Sequence, residues 1–367
     1  IMILIQIGGL GIMTMSTMMA FILGKKIGLK ERMIIVEDLN QFKISGIVRL
    51  VQYVLGFTFI IEGAGAFLMF FRLIREYNFW KAVYFSIFHA VSAFNNAGFD
   101  LFGNSLESFT GSITINFVIM ILIILGGIGF GVLVELYNIR NINNISLQTK
   151  IVLTVTVILL IVGFFMVLFL EYNNNETMGE LAFGDKILSA LFLSVTPRTA
   201  GFNTIPTGAL KSSTLFFVII LMFLGASPGS TGGGIKTTTF GVMAITLWNM
   251  ITGKRVIKVY KRQLENEIVF EAFSITFLAA ALVCSVTIIL TITEAANFLS
   301  ILFETVSAFG TVGLSTGVTS HLSKFGRILI TITMFAGRVG PLTLAVAFAE
   351  RDQKGIYHYP KEKVMVG

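Results

Sequence analysis

The chain has 367 residues, of which 55% are hydrophobic and only 13% charged, with a formal net charge of +7 and a mean hydropathy of +0.85. Because a soluble domain carries about 25% charged residues, this composition excludes an ordinary soluble protein and indicates an integral membrane protein. One cysteine excludes a disulfide scaffold and a Cys-based metal site. That residue, Cys284, is expected to be a small core side chain.

Apolar segments of two lengths alternate along the chain. The long ones are predicted to be membrane spans at 1–23, 46–71, 113–136, 151–170, 268–292 and 328–348, with a further span at 214–248 broken between 225 and 234. Three shorter runs, at 80–94, 187–195 and 298–306, cannot cross a hydrocarbon core of ~30 Å. We therefore predict that they are re-entrant half helices, in an all-α protein.

Each short run leads into a small, hydroxyl-rich turn that ends in glycine, at Gly98, Gly201 and Gly313. Glycine tolerates backbone angles that let peptide carbonyls face a common point, and irregular backbone at membrane depth must be buried or line a watery cavity. A ring of carbonyls is how a potassium filter is built. The predicted filter residues are Asn95, Asn96, Ala97, Gly98, Arg198, Thr199, Ala200, Gly201, Gly310, Thr311, Val312 and Gly313. The alternative is that these are helix-breaking loops between packed spans.

A second glycine pattern, Gly-x-x-Gly, recurs in the following spans. It begins at Gly8, Gly126 and Gly337, and Gly225 begins a broken version. The distance from turn glycine to this marker is 28, 24 and 24 positions, and such long-period similarity indicates repeated units. Gly8 then implies an earlier turn upstream, so we expect four units around one pore, with the first truncated. The predicted division is 1–44 (second helix of unit 1 and linker), 45–149 (unit 2), 150–265 (unit 3), 266–350 (unit 4) and 351–367 (C-terminal tail).

Basic residues predict the orientation. The linkers after each unit and the tail hold 17 Lys and Arg, against 8 in the loops on the half-helix side. By the positive-inside rule, the linkers and C-terminus are cytoplasmic and the turns face outside. Asp100 and Glu107 beyond the first turn either concentrate cations at the mouth or are ordinary solvated loop acids.

Three further features lie inside predicted membrane spans: a glycine-rich break, Arg338 and Glu62. The glycine-rich break is the predicted gate, formed by Ala226, Ser227, Pro228, Gly229, Ser230, Thr231, Gly232, Gly233, Gly234 and Lys236, unless it is simply an unwound helix. A phosphate loop needs Lys directly after Gly, and Ile235 intervenes, so no nucleotide is expected on this chain.

Arg338 replaces a marker glycine. A charge at this position predicts a barrier below a cation filter, or a structural tie between helices. Glu62, inside a span, favours a structural hydrogen bond over H⁺ or Na⁺ binding.

These segments together resemble the Trk/Ktr/HKT superfamily of potassium transporters, and within it the membrane subunits of bacterial Ktr systems. The residues that carry the resemblance are Ser194–Thr204 and Gly225–Thr237, with Gly-Arg-Val-Gly at 337–340, and the similarity spans essentially the whole chain. Thr311-Val-Gly313 alone would be a weak signal. The first filter turn, which helps set potassium against sodium preference in this superfamily, is absent from the sequence.

The resemblance implies four joined channel-like units, a homodimer in a bacterial plasma membrane surrounded by lipid, and a cytosolic nucleotide-binding (KtrA-like) regulatory ring. It implies K⁺ as the transported ion and Na⁺ as an activator with no assignable residue. It also places the gate at the broken helix and a constriction at Arg338. No nucleic acid is expected as a partner.

Two other functions remain open. A cation-coupled secondary transporter (K⁺/Na⁺ or K⁺/H⁺ symport) also uses broken helices, although transporters with a midplane site are typically built from inverted repeats, whereas these units recur in one orientation. A membrane-embedded enzyme is not expected, because the sequence has no HExxH, no GxSxG and no histidine–carboxylate constellation.

Overall fold

The structure is a computed structural model that describes residues 1–11, 47–139, 145–254 and 256–340. These residues form twelve α-helices and one short hairpin. The helices are α1 (Met2–Leu10), α2 (Ile47–Leu73), α3 (Phe79–Phe94), α4 (Ile113–Gly127), α5 (Phe130–Tyr137), α6 (Leu147–Glu171), α7 (Phe183–Val195), α8 (Ser212–Phe223), α9 (Thr237–Ile251), α10 (Asn266–Thr293), α11 (Phe298–Phe309) and α12 (Lys324–Val339). Strands β1 (Lys258–Val259) and β2 (Arg262–Gln263) pair antiparallel. The predicted all-α class is confirmed.

Within the described ranges, three helices are long and apolar enough to cross a membrane. They are α6, α10 and the Val51–Leu73 part of α2, and α4 with α5 makes a fourth if that bent pair counts as one span. The half helix α3 packs against the flanking helices α2 and α4, and α11 packs against α10 and α12, whereas α7 packs against α6 and against α4 of unit 2. The order of span, half helix, turn and span recurs along the chain. Residues 12–23 of the first predicted span and residues 341–348 of the last one lie outside the described residues.

The predicted span at 113–136 is not one straight helix. The chain bends by 98° between α4 and α5, and the bend lies within the Gly-x-x-Gly marker. Gly129 has φ of +95° there, a conformation that a helix cannot contain. The hydrophobicity is continuous across the bend, which is why the sequence pattern missed it.

Cys284 was also predicted wrongly, because its side chain is exposed on α10. In a water-soluble protein, an apolar segment with small residues indicates the protein core. In a membrane, a helix can expose the same residues to lipid on its outer face. Polarity alone therefore does not separate lipid-facing from buried positions in this chain.

The marker glycines end their helices in one shared conformation. Gly11 after α1, Gly129 after α4 and Gly340 after α12 have φ of +85°, +95° and +99°, with ψ between 134° and 144°. In two units the first marker glycine also touches the end of a half helix: a Cβ on Gly126 would lie 1.9 Å from the Phe94 carbonyl oxygen, and one on Gly337 1.8 Å from that of Phe309. The repeat read from the sequence therefore has a repeated geometry, while the exact domain limits stay a prediction.

The start of α12 is fixed by a capping pair outside the spans. Ser323 caps the helix by accepting a hydrogen bond from the Gly326 amide, and its own amide and hydroxyl donate to Glu294 at 2.9 and 2.5 Å. These bonds hold the pKa of the exposed Glu294 carboxyl below its usual range. The pair joins the ends of α10 and α12.

Candidate functional site

The three predicted turns meet one another. A Cβ placed on Gly98 would lie 2.6 Å from the carbonyl oxygen of Ala200, and one on Gly201 would lie 2.3 Å from that of Val312. The same Cβ on Gly201 would be 3.3 Å from the Cα atoms of both Gly98 and Gly313. Three turns separated by about a hundred residues each in sequence are therefore in van der Waals contact, with Gly201 in the middle.

Their backbones repeat as well. The turn glycines have φ of +69° (Gly98), +80° (Gly201) and +92° (Gly313), and the residues two positions earlier are also positive at +51° (Asn96), +75° (Thr199) and +51° (Thr311). Left-handed conformations are rare for residues other than glycine, so finding them at the same place three times indicates that the surrounding structure imposes them. Strained backbone of this kind concentrates at functional sites.

In each unit, a hydroxyl from the half helix, or from the residue directly after it, donates a hydrogen bond to a carbonyl just beyond the turn glycine. Ser92 donates to the Phe99 carbonyl at 2.8 Å, Thr196 to Phe202 at 2.5 Å, and Ser307 to Leu314 at 2.6 Å. Each acceptor directly follows the turn glycine. The carbonyl on that side is therefore occupied by protein, and the sequence pattern Ser-Ala-Phe at 92–94 and 307–309 was the signal for it.

The half helices present their carboxyl ends to the turns. Helices α3 and α11 end at Phe94 and Phe309, directly before the predicted filter residues, and α7 ends at Val195, with Thr196 and Pro197 between it and Arg198. A helix carries about half a negative charge at its C-terminus. Three such ends beside one point favour a cation there.

The glycine-rich break between α8 and α9 packs against all three turns on the side of their left-handed residues, Asn96, Thr199 and Thr311. This side is called the inner side of the turns below. Asn96 Nδ2 donates to Thr231 Oγ1 at 3.0 Å, and the Gly233 amide donates to Thr311 Oγ1 at 3.1 Å. Between them, a Cβ on Gly232 would lie 2.1 Å from Thr199 Oγ1. Three consecutive loop residues thus contact the three left-handed residues of the turns, one each.

Backbone hydrogen bonds fix this loop to the markers of two units. The Ser227 amide donates to the Gly127 carbonyl at 3.0 Å, and the Gly234 amide donates to Gly337 at 3.3 Å. Within the loop, the Lys236 ammonium donates to the Gly232 carbonyl at 2.9 Å. The loop therefore has defined partners, which an unwound helix alone would not need.

Arg338 reaches the same loop from α12. Its guanidinium donates to the Thr231 carbonyl and, at 2.9 Å, to that of Gly8. It lines a cavity of about 430 Å³, which also borders Asn96, Thr231 and Thr311. Arg338 thus links a positive charge to the loop and to the inner side of the turns.

A second cavity lies on the other side of the turn glycines. It has a volume of about 360 Å³ and is bordered by Gly201, Gly313 and Glu107. Asp100 is not among its lining residues, because its carboxylate accepts the Gly103 and Ser105 amides at 2.8 and 2.9 Å and so organises its own loop. The structure therefore separates the two acids: Glu107 lines the cavity, and Asp100 holds a loop.

Two other predicted residues also have defined surroundings. The Arg198 side chain is buried and its Nη2 donates to Thr156 of α6 at 3.2 Å, so the guanidinium is directed into the protein beside its turn. Glu62, for which the sequence suggested no partner, accepts a hydrogen bond from Asn95 Nδ2 at 2.8 Å. Glu62 thus supports the first residue of a turn, in agreement with the favoured structural interpretation.

Three side-chain oxygens at the inner side of the turns have no hydrogen-bond partner among the described residues. They are Asn95 Oδ1, Asn96 Oδ1 and Thr199 Oγ1, and all three residues are buried. Since buried polar atoms normally have partners, these acceptors are free for water or a cation. Their residue types are the only signal for them in the sequence.

The family to which this arrangement belongs follows from a comparison with known proteins. A sequence model described as TrkH, cation transport protein, matches residues 2–359. The chain belongs to the TrkH family of cation transport proteins.

This TrkH-family chain is similar to Ktr system potassium uptake protein B of Bacillus subtilis, with 44% identity over 367 residues that cover 100% of this chain and 82% of the relative. It is 37% identical to the potassium/sodium uptake protein NtpJ of Enterococcus hirae over 373 residues, covering 100% and 82%. The crystal structure of the potassium transporter TrkH from Vibrio parahaemolyticus has a TM-score of 0.70 at 19% identity, covering 95% of this chain and 71% of that one. The last comparison supports the fold.

Proposed function

We propose that this chain takes up potassium through a single channel-like pore whose filter is formed by the turns ending at Gly98, Gly201 and Gly313. The observation that carries the proposal is the contact between these three turns, which share a pattern of positive φ angles. The name of the Bacillus subtilis relative, a potassium uptake protein, supports the choice of ion.

The chemistry follows from the order of groups along the contact. A hydrated cation enters the cavity beside Glu107, whose negative charge raises the local cation concentration. At the turns, peptide carbonyls replace the water around the ion, aided by the carboxyl ends of the half helices. At the inner side, Asn96 Oδ1 and Thr199 Oγ1 offer further neutral oxygens. Neutral ligands hold a monovalent ion weakly enough to release it.

The loop at 226–236 acts as the gate in this proposal. It covers the inner side of all three turns, so an ion leaving the filter meets Thr231, Gly232 and Gly233. Arg338 adds a positive charge beside this exit, which raises the barrier for a cation. Opening requires the loop to leave the turns and Arg338 to release the Thr231 carbonyl.

The assembly belongs to the same proposal. The orientation predicted from the basic linkers places the turns outside and the gate towards the cytoplasm. The name of the Bacillus subtilis relative refers to protein B of a system, which supports a separate cytosolic regulatory subunit. A homodimer and activation by Na⁺ are further parts of the proposal, and the potassium/sodium name of NtpJ supports testing both ions.

The test is uptake of rubidium into potassium-starved cells that lack other uptake systems, with and without competing sodium. Gly201→Ala should raise the KM for rubidium and weaken its preference over sodium, because the new Cβ would lie 2.3 Å from the Val312 carbonyl oxygen. Gly56→Ala is the matched control, since a Cβ on Gly56 has no atom within 4 Å. If Gly201→Ala is inserted normally and transports like Gly56→Ala, the filter assignment is wrong.

A further inference from the structure

Two buried side chains inside the half helices occupy equivalent positions. His89 lies nine residues before Gly98 in α3, and Glu304 lies nine residues before Gly313 in α11. Their exposed fractions are 0% and 5%. Neither residue borders the cavities beside the turns or the loop, so the proposed pathway leaves both unexplained.

Both side chains accept a hydrogen bond from the same backbone position. The Leu101 amide, three residues after Gly98, donates to His89 Nε2 at 3.2 Å. The Thr316 amide, three residues after Gly313, donates to Glu304 Oε1 at 2.8 Å. In units 2 and 4, therefore, the half helix holds the chain just beyond its own turn glycine.

The surroundings of each group fix its role as an acceptor. His89 Nδ1 lies 2.7 Å from the Phe85 carbonyl oxygen, so the proton is on Nδ1 and Nε2 is left to accept. The imidazole also stacks on Phe102 with ring centroids 4.2 Å apart. Glu304 accepts further bonds from the hydroxyls of Ser315 (2.7 Å), Thr316 (3.1 Å) and Thr319.

In unit 3, the chain beyond the turn glycine is held by a different group. The equivalent position of unit 3, nine residues before Gly201, carries the apolar Phe192. The segment after Gly201 is instead held by the loop of unit 2: the Asn203 amide donates to Ser105 Oγ at 3.0 Å, and the Leu106 amide donates to the Asn203 carbonyl at 2.9 Å. All three turns are thus anchored beyond the glycine, two of them by a half-helix side chain.

We propose that His89 and Glu304 are positioning residues that set the ion preference of the pore by holding the turns of units 2 and 4 at a fixed width. The inference rests on the proposed filter. Just beyond each of these two turn glycines, the half helix holds the chain by a bracket of two bonds: the hydroxyl bond to the carbonyl of the next residue, and the His89 or Glu304 bond to the amide two residues after that. If preference depends on cavity size, the turns must not close around the smaller sodium ion, and this bracket resists such closure.

The test measures how strongly sodium competes with rubidium for uptake, which a merely structural role would not change. Glu304→Leu removes a charged acceptor of four bonds and should lower the preference for rubidium about tenfold; His89→Leu removes one acceptor and should lower it about threefold. Glu304→Gln and His89→Gln keep an acceptor oxygen and should restore most of the preference. Ser315→Ala, which removes a single bond to Glu304, should lower it about twofold.

Variants that transport more slowly with an unchanged rubidium-to-sodium preference would overturn the inference and leave both residues a role in folding alone. Ser315→Ala decides the matter for Glu304 even if Glu304→Leu does not fold, because it leaves three of the four bonds to Glu304 in place. The failure of the filter itself is distinguished by Gly201→Ala. If that variant alters ion preference and the Glu304 and His89 variants do not, only the positioning inference fails.

Discussion

Removing the hydroxyl of Thr231 should open the gate. Thr231 Oγ1 accepts from Asn96 Nδ2 at 3.0 Å, and its hydrogen is shared between the carbonyls of Gly126 (3.2 Å) and Phe94 (3.3 Å). Thr231→Val keeps the shape of the side chain and removes both the donor and the acceptor. The carbonyl of Thr231, which Arg338 binds, is unchanged.

The size of the effect follows from the number of bonds lost. One accepted and one donated hydrogen bond contribute about 0.5–1.5 kcal/mol each, so the closed state loses about 2 kcal/mol relative to a state in which the loop is exposed to water. Because 1.4 kcal/mol is a factor of ten, the equilibrium shifts about 30-fold towards the open loop. Uptake should rise by that factor as long as the open fraction is small.

The assay is initial rubidium uptake in potassium-starved cells without the regulatory subunit, with membrane protein quantified in each strain. Thr231→Ser is the matched control, since it keeps the hydroxyl and should transport like the parent chain. The gate hypothesis would be refuted if Thr231→Val reached the membrane in normal amounts and showed parental or lower uptake. An equal increase in Thr231→Ser would show that the methyl group, and not the hydrogen bonds, holds the loop.

Three further changes test the same region. Arg338→Ala should raise or deregulate potassium uptake, because it removes a positive charge and two hydrogen bonds beside the exit; unchanged flux in a folded variant argues against a barrier. Deleting part of Ser227–Gly234 should raise conductance, and a shortened chain with normal regulated transport counts against this loop as gate. Gly337→Ala should lower thermal stability by about 1–3 kcal/mol, since its Cβ would lie 1.8 Å from the Phe309 carbonyl oxygen, whereas Gly56→Ala should leave the melting temperature unchanged.

The repeat was predictable because glycine, segment length and apolar composition are local signals. The half helices α3, α7 and α11 are too short to span a membrane, and each leads into a glycine turn, so their existence could be read from the sequence. The contact between Gly98, Gly201 and Gly313 was a hypothesis that needed the repeat. The bend at Gly129 was not predictable because the hydrophobicity is continuous across it. The exposure of Cys284 was not predictable because lipid-facing and buried apolar positions have the same polarity.

The contacts that carry the mechanism were hidden for a different reason. Asn96 and Thr199 adopt left-handed backbone without being glycine, so no residue type marks them. The roles of His89 and Glu304 depend on a tertiary match between a half helix and the chain beyond its own turn, and the two residues differ in chemistry. Aligning the units by their turn glycines places His89 and Glu304 together, but only their hydrogen bonds show that they do the same task.

The proposed gate lies where the repeat is broken. In units 2 and 4 the first marker glycine packs directly on the carbonyl that ends its half helix, at Phe94 and Phe309. In unit 3 the corresponding Gly225 packs on Gly233 of the glycine-rich loop and not on the half helix: a Cβ on Gly225 would lie 2.0 Å from the Gly233 carbonyl oxygen. The loop of unit 3 thus occupies the inner side of the turns, and Arg338 stands where the markers of units 1 and 2 have Gly9 and Gly127. A repeat of identical units would lack both this loop and this arginine, so in the proposed mechanism the departures in units 3 and 4 together close the pore.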